Sequence, residues 1–253
     1  MEQLFSLCIP TMGRFDTFLK SYLEKYFEND LISEIIITDE TGEDVDKIRY
    51  TFGDNPKLKL YKNETRLGPF LNKLKACSFA KNKWIVLMDS DNFADKDYFI
   101  TAKNYIENDI KDINKTNIIL APSFAKPQFN FSHLSGFIYK NGEFNNNLNK
   151  EKELFKQGMT QSNVLMNAGN YVINKYLIDN LNLTNEHENI KMSSACDVIY
   201  FNTLLFEQLD LHLHVVKDLE YDHVVHNGSI YLQTANKYQH FNNLVYNRYN
   251  NLV

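Results

Sequence analysis

The chain has 253 residues, of which 43% are hydrophobic and 13% aromatic, so it can bury a sizeable core and is not intrinsically disordered. A net charge of −5 and a pI near 5.8 argue against a nucleic-acid partner, because neutralising phosphates needs a basic surface. The composition leaves a folded globular protein whose partners are not nucleic acids.

Cysteine usage and hydropathy bear on the compartment. Cys8, Cys77 and Cys196 are widely spaced and show neither metal-finger spacing nor a pairing pattern, which indicates a reducing environment. No apolar run approaches the roughly 20 residues that span a bilayer. We therefore expect a soluble, cytoplasmic protein without a transmembrane segment. Peripheral membrane contact and a homo-oligomeric state both stay open.

Strand-like and helix-like segments alternate through the first half. Residues 4–10 are apolar on both faces of the predicted strand, as interior parallel strands are, and residues 15–27 follow the spacing of an amphipathic helix. The later predictions are strands at 34–40, 58–61, 84–88 and 117–123, and helices at 44–52, from Pro69 onward, and after Asp95 as N-cap. This alternation predicts an α/β fold with a mostly parallel central sheet and helices on both faces.

The second half has weaker patterns. Residues 126–157 are polar and Asn-rich, so they are predicted to be irregular, as long functional or mobile segments are. Further predictions are helices at 175–181 and 193–208, a strand at 211–216, a loop at 221–229 and an unassigned tail from 230. No linker or composition break appears, which favours one domain over 1–253.

Two carboxylates one residue apart, Asp89 and Asp91, follow the apolar strand at 84–88. Unpaired buried charges cost several kcal/mol or more, so these acids must lie at the strand's end, in solvent or on a cation. Ligands of open α/β sheets collect at the carboxyl ends of strands. We therefore expect a site around Asp89-Ser90-Asp91.

Three chemistries compete for this motif. An EF-type calcium loop requires Gly at the sixth position and Glu at the twelfth, where this chain has Ala94 and Ile100. Aspartyl-phosphate phosphatases usually carry Asp-x-Asp on their first strand, with a small or β-branched residue beyond it, whereas this motif follows several strands and precedes Phe93. The third is a divalent cation that bridges carboxylates and a diphosphate leaving group.

Four segments in this order carry a family resemblance: Phe5-Ser6-Leu7-Cys8-Ile9-Pro10-Thr11, Thr38-Asp39-Glu40, Arg66-Leu67-Gly68 with Asn72, and Leu87-Met88-Asp89-Ser90-Asp91-Asn92. Together they resemble the GT-A glycosyltransferases, particularly the large inverting family 2 with an Asp-x-Asp signature. The resemblance implies a nucleotide-sugar-binding half at about 1–125 and an acceptor half with the tail at about 126–253. It also implies Mn²⁺- or Mg²⁺-dependent transfer from a nucleotide sugar, expected to be a UDP-sugar, to a glycan, protein or other hydroxyl acceptor.

The same resemblance implies roles on the donor side. Asp91 would be the main metal ligand, with Asp89 nearer the nucleotide sugar and His226 a third ligand. Pro10, Thr11 and Asp39 would lie near the base and ribose. The implied donor-binding set is Pro10, Thr11, Arg14, Asp39, Arg66, Asn72, Asp89, Ser90 and Ser229. The residues also allow plainer roles: Asp39 as a solvated acid, Arg66 as a surface cation, Asn72 as an exposed helix residue and His226 as a solvated loop histidine.

On the acceptor side, residues 167–171 resemble a small-residue segment that would place Gly169 and Asn170 against the acceptor sugar. Asp197 matches the position of the catalytic base, which takes the proton of the acceptor hydroxyl. The family more often has Glu-Asp there, whereas this chain has Cys196-Asp197. Asp197 could equally complete a capping box with Ser194.

One pair of residues and two alternative functions lie outside the resemblance. His212 and His214 share one strand face without an evident third ligand, which favours a structural role. A nucleotidyltransferase would need a Gly-rich loop with Arg and a following Lys near the first strand, but only Gly13-Arg14 is present. A non-catalytic nucleotide- or carbohydrate-binding module is the third alternative, although Asp89, Asp91 and Asp197 are all intact.

Overall fold

The computed structural model describes residues 4–110, 117–156, 164–183, 197–229 and 239–253. In the first half, strands and helices alternate as the apolar periodicity predicts. The strands are β1 (Phe5–Thr11), β2 (Ile32–Asp39), β3 (Leu58–Lys62), β4 (Trp84–Leu87) and β5 (Ile118–Lys126). The helices are α1 (Lys20–Phe27, entered through a π-helical turn at Phe15–Leu19), α2 (Glu43–Phe52), α3 (Gly68–Ser78) and α4 (Lys96–Asn108).

The second half contains both short and long elements. Its strands are β6 (Phe129–Asn130), β7 (Ile138–Lys140), β8 (Val172–Asn174) and β9 (His212–Asp222). Its helices are α5 (Phe144–Lys156), α6 (Val164–Asn167), α7 (Lys175–Asp179), α8 (Asp197–Gln208) and α9 (Gln239–Leu252). The predicted start of α8 at Ser193, including the cap at Ser194, lies outside the described residues.

Local sequence signals fix where two helices begin. Pro69 lies in the first turn of α3, where its missing N–H removes no helical hydrogen bond. The Asp95 carboxylate accepts a hydrogen bond from the Tyr98 N–H at 3.1 Å and so caps α4. Both predictions are confirmed, and the cap at Asp95 ends the turn that carries Asp89 and Asp91.

The strands form one sheet in the order β3-β2-β1-β4-β8-β5-β9-β7, with β6 paired to β5. Parallel ladders join β1 to β2 and to β4, β2 to β3, and β5 to β9. The carboxyl ends of β1, β2 and β4 therefore meet at one edge. Thr11, Asp39 and Asp89 lie at that edge, as expected for a ligand site in an open α/β sheet.

The short strand β8 lies antiparallel between β4 and β5. The ladder continues beyond its assigned end, because Leu87 and Tyr171 exchange backbone hydrogen bonds of 2.9 and 3.2 Å. This insertion brings the residues before β8, including Gly169 and Asn170, beside the turn that follows β4. The spacing of apolar residues did not predict this neighbour.

Apolar layers cover both faces of the sheet. Leu7 and Ile9 of β1 pack on one face with α1, α2 and α4, whereas Cys8 packs on the other with α3 and α8, as the two-residue period of a strand requires. The rings of Phe70 and Tyr200 join α3 to α8, with centroids 4.8 Å apart. Helices from the two halves of the chain thus pack together against one face of β4.

Two predictions for the second half are wrong. The stretch 126–157 is not irregular, because it contains β6, β7 and α5, and its apolar residues Tyr139, Phe144 and Leu148 are buried. The strand predicted at 211–216 continues to Asp222, paired with β5 past a register shift. The exposed residues Lys217 and Asp218 interrupt the apolar alternation at that irregularity, which explains why the sequence pattern ends early.

The tail, which the apolar pattern left unassigned, contains the helix α9. Residues 230–238 lie outside the described part. Among the described residues, no helix has both the length and the apolar character required to cross a membrane.

Candidate active site

The ends of β4 and β9 bring Asp91 and His226 into contact. Asp91 lies in the turn after β4, and its Oδ2 is 3.0 Å from Nε2 of His226. The ring of Phe18 packs against the imidazole, with centroids 5.0 Å apart. Two residues that the sequence predicted as metal ligands, 135 positions apart, are therefore neighbours.

The segment that carries His226, residues 223–229, is anchored at both ends. The Val224 N–H donates to Oδ1 of Asn92 at 3.0 Å, which ties the segment to the turn after β4. The Arg14 guanidinium donates to the Gly228 carbonyl at 2.6 Å. Arg14, predicted as a donor-binding residue, therefore helps to hold His226 in place.

The Asp91–His226 pair would supply two of the ligands of a divalent cation and leave its other positions to other ligands. Ligands at right angles around an ion, each at about 2.1 Å, lie about 3 Å apart, which is the separation of Asp91 Oδ2 and His226 Nε2. Among the described residues, no group of three or more His, Cys, Asp or Glu side chains could hold a metal ion. Mg²⁺ is commonly held through one or two carboxylates and completed by substrate phosphates and water, so Asp91 would be the principal ligand, with His226 beside it.

Asp89 faces protein groups rather than the Asp91–His226 pair. Its Oδ1 is 2.9 Å from Nζ of Lys73, and Oδ2 accepts a hydrogen bond of 3.4 Å from the Asn170 amide. Oδ1 of Asn170 accepts the Asp89 N–H at 2.6 Å, and its Nδ2 also donates to the Tyr221 hydroxyl. Asn170 thus holds Asp89 in place, and both ends of its side-chain amide contact protein groups.

Asp197 is the first described residue of α8 and is only 8% exposed. Its Oδ2 lies 2.7 Å from Nζ of Lys73, the same nitrogen that binds Asp89. Burial raises the pKa of the Asp197 carboxyl, and the Lys73 ammonium opposes that shift. Burial lowers the pKa of Lys73, but Asp197 and Asp89 together raise it above its ordinary value. A donor-side acid and the candidate base therefore share one buried cation.

Gly169 meets α8 rather than open space. A Cβ placed on Gly169 would lie 2.5 Å from Cγ2 of Val198, closer than atoms that are not bonded can approach. The predicted reason for a glycine here was the approach of a sugar to the backbone. The structure gives a different reason, since Gly169 lets the residue after Asp197 pack against the chain that precedes β8.

The turn after β1 is organised by a buried acid, Asp44, at the start of α2. Its carboxylate accepts hydrogen bonds from the Thr11 hydroxyl at 2.5 Å and from the backbone N–H groups of Arg14 and Phe15 at 2.9 to 3.0 Å. Thr11, predicted to contact the nucleotide, is therefore engaged with Asp44. Pro10 is buried in β1, opposite Thr38.

The two acids at the end of β2 differ in what they bind. Asp39 accepts hydrogen bonds from the N–H groups of Thr41 and Val45 at 3.0 and 3.1 Å, so both of its oxygens hold the turn into α2. Glu40 uses Oε2 to accept the Leu67 N–H at 2.7 Å. Its Oε1 is buried and has no hydrogen-bond partner among the described residues.

Burial raises the pKa of the Glu40 carboxyl, and the Leu67 amide, the Arg66 guanidinium and the Gly68 amide oppose that shift. The buried Oε1 of Glu40 therefore calls for a hydrogen-bond donor that the described residues do not supply.

The remaining predicted donor residues lie around this edge with different surroundings. Arg66 is exposed, with Nη2 3.2 Å from the Met12 sulfur. Asn72 is buried, donates to the Thr38 carbonyl and accepts from Asn63, so it is not the exposed helix residue of the plainer interpretation. Ser90 is buried within the motif. The Ser229 N–H closes a turn onto the His226 carbonyl at 3.0 Å.

His223 and His214 contact aromatic side chains. The His223 ring packs edge-on against Phe129, with centroids 5.3 Å apart, and burial lowers the pKa of His223. Nδ1 of His214 lies 2.9 Å from the Tyr105 hydroxyl, which agrees with the structural role predicted for His212 and His214.

Sequence reasoning missed Lys73, Glu40 and Asp44. Glu40 could have been considered as a binding residue, because it follows Asp39 at the end of β2. Only the position of Lys73 in the helix could have indicated its role. Lys73 lies on the buried face of α3, four residues after Pro69, and an unpaired lysine is rare at such a position. Asp44 lies in an acidic first helical turn, which sequence alone assigns to the helix dipole.

The comparisons with known proteins agree with this geometry. A family model described as Glycosyl transferase family 2 matches residues 6–167, more than half of the chain. The match covers β1 from Ser6 onward, Asp39, Asp89 and Asp91, and it ends at Asn167, before Gly169, Asn170 and Asp197. A search of curated protein sequences gave no match.

Solved structures share the fold at low sequence identity. S. aureus TarS 1–349 in complex with UDP-GlcNAc is 15% identical, with a TM-score of 0.61 over 97% of this chain and 66% of that one. A second crystal structure of S. aureus TarS 1–349 is 16% identical, with a TM-score of 0.57 over 86% of this chain and 59% of that one. The mannosyltransferase PcManGT from Pyrobaculum calidifontis, in complex with GDP-Man and Mn²⁺, is 13% identical. Its TM-score is 0.57 over 93% of this chain and 61% of that one.

These likenesses confirm the predicted GT-A-like α/β fold. The chain spans about three fifths of the length of the solved chains.

Proposed function

Because the chain belongs to glycosyl transferase family 2, we propose that it transfers a sugar from a nucleotide sugar to a hydroxyl acceptor, with inversion and with a divalent cation. The observation that carries this proposal is the arrangement of three acids at one edge of the sheet. Asp91 pairs with His226, and Asp89 and Asp197 meet at Lys73. A leaving-group side and a proton-accepting side are thus adjacent.

The donor side is assigned to the ends of β1, β2 and β4. Asp91 and His226 would hold Mn²⁺ or Mg²⁺ with the donor diphosphate, and the ion would neutralise charge on the leaving group. Glu40 would accept a ring N–H of the base at Oε1. Uracil and guanine both present such a donor, and the complex of TarS with UDP-GlcNAc supports a UDP-sugar as the first choice.

The acceptor side is assigned to Asp197. Its carboxylate would take the proton of the acceptor hydroxyl while that oxygen bonds to the anomeric carbon from the face opposite the diphosphate. The bond between the anomeric carbon and the diphosphate oxygen breaks, and the nucleoside diphosphate leaves. Acid residues of the two halves of the chain therefore act on opposite faces of the transferred sugar.

The proposal is tested with the purified chain by calorimetry against UDP- and GDP-sugars, with Mn²⁺ and with EDTA. We expect one nucleotide sugar to bind at least 10-fold more tightly with Mn²⁺, because the donor diphosphate would supply ligands in addition to Asp91 and His226. NMR of the product should show an inverted anomeric configuration. Metal-independent binding would remove the cation from the proposal, and turnover of a nucleoside triphosphate to pyrophosphate would favour a nucleotidyltransferase instead.

Glu40→Gln tests the base contact. A glutamine amide has one acceptor oxygen and cannot accept both the Leu67 N–H and a base N–H, so binding of the preferred nucleoside diphosphate should weaken about 10- to 100-fold. Glu43→Gln is the control, because Glu43 is an exposed acid in the same turn. Equal affinity of wild type and Glu40→Gln for UDP and GDP, measured by calorimetry, would show that the base does not reach Glu40.

A further inference from the structure

Lys73 joins the two halves of the candidate active site. It extends from α3, in the first half, and its ammonium lies 2.9 Å from Asp89 and 2.7 Å from Asp197. The Lys73 side chain is 9% exposed and that of Asp197 is 8% exposed. The contact is therefore a buried one, between residues whose order along the chain gives no reason for them to meet.

Burial of this kind demands accurate geometry. Taking charged groups out of water is costly unless each is paired at hydrogen-bond distance. A lysine ammonium has three donors, so Lys73 can satisfy both carboxylates at once. Asn170 also holds Asp89 through two hydrogen bonds. Because Lys73 binds both carboxylates, it fixes the position of Asp197 relative to the turn after β4.

The supports of Asp89 and Asp197 are unequal. Asp89 keeps its contacts to Asn170 if Lys73 is neutralised, and it is partly exposed, with 29% of its side chain accessible. Asp197 lies at the beginning of the described part of α8, almost fully buried, and loses its cation. Removing the ammonium should therefore disturb the candidate base more than the donor side.

We propose that Lys73 is a positioning residue for sugar transfer, which fixes the Asp197 carboxylate relative to Asp89 and so relative to the donor. This inference rests on the proposed function. It assigns to Lys73 a role in turnover that a lysine serving only the stability of α3 would not have.

The first experiment compares Lys73→Met and Lys73→Arg with Lys75→Met, a lysine two positions further along α3 that has no ion pair among the described residues. Misplacing a catalytic group by about 1 Å can cost about 100-fold, so we expect kcat of Lys73→Met to fall by about that factor. Donor Kd with Mn²⁺, from calorimetry, should change far less. Lys73→Arg should recover part of kcat, and Lys75→Met should match wild type.

A double-mutant cycle with Asp197→Asn distinguishes positioning from stability. If Lys73 acts through Asp197, Lys73→Met should lower kcat little further when Asp197 is already Asn. A loss of the same factor in both backgrounds, or wild-type kcat in Lys73→Met, would overturn the inference. If Lys73→Met lacks a native circular dichroism spectrum, Lys73→Gln, which keeps a donor, takes its place in the cycle.

The result is separable from the proposed function. Failure of wild type to transfer sugar from any nucleotide sugar would count against the function itself. Normal transfer by wild type and by the Lys73 variants would count against the role of Lys73 alone.

Discussion

Asp197→Asn should lower kcat for sugar transfer by about 100- to 10,000-fold, the range over which a positioned general base contributes. The amide is nearly isosteric and can still accept a hydrogen bond from Lys73, so α8 should keep its place. It cannot take the acceptor proton. The donor contacts are assigned to other elements, and the Kd for nucleotide sugar with Mn²⁺ should therefore stay close to the wild-type value.

Single-turnover transfer assays and calorimetry on the same preparations measure the two quantities. Asp210→Asn is the matched control, because Asp210 is an exposed acid just beyond the other end of α8. Burial raises the pKa of Asp197, and the base acts only when ionised, so wild-type kcat should fall on the acid side at a pH above the range of an ordinary aspartate. Asp197→Asn should lack that acid limb. Near-normal turnover in Asp197→Asn would remove this residue from the chemistry.

The part of the site that sequence could predict is the part built from strand ends. Apolar runs with strand periodicity that end in acids place Asp39, Asp89 and Asp91 at one edge, because parallel neighbours share their carboxyl ends. The cap at Asp95 then follows from local chemistry. These conclusions need only neighbouring residues and a general rule of sheet topology.

The contacts between distant segments could not be predicted in this way. The insertion of β8 beside β4 is set by the packing of the whole sheet, and it decides that Asn170 holds Asp89. The meeting of Lys73 and Asp197 depends on α3 and α8 covering the same face. Asn72 is also hydrogen-bonded to distant segments, because its side chain contacts Thr38 at the end of β2 and Asn63 just after β3.

Gly169→Ala tests one such contact, and its expected effect is large for a single added methyl group. The new Cβ would lie 2.5 Å from Val198 Cγ2 and 3.3 Å from Cγ1. Valine has one strongly preferred rotamer in a helix, so the clash cannot be relieved by rotating the side chain. The first turn of α8 must shift instead, at a cost of about 1–3 kcal/mol, as for other overpacked sites.

The shift moves Asp197, the residue that precedes Val198. We expect Gly169→Ala to lower kcat by about 10- to 100-fold, because small displacements of a catalytic group are costly, and to lower the midpoint of urea unfolding. Donor Kd should change little, since the donor contacts lie on other elements. The double variant with Val198→Ala removes the clashing methyl groups and should recover most of the lost turnover and stability.

The same pair of variants separates packing from acceptor binding. Val198→Ala alone is the control, since it opens space without moving the backbone and should keep kcat near wild type. If Gly169→Ala instead raised the acceptor KM, and Val198→Ala gave no rescue, the glycine would face the acceptor sugar as the family resemblance implies. Rescue of kcat by Val198→Ala would assign Gly169 to the placement of α8, and with it the placement of the base.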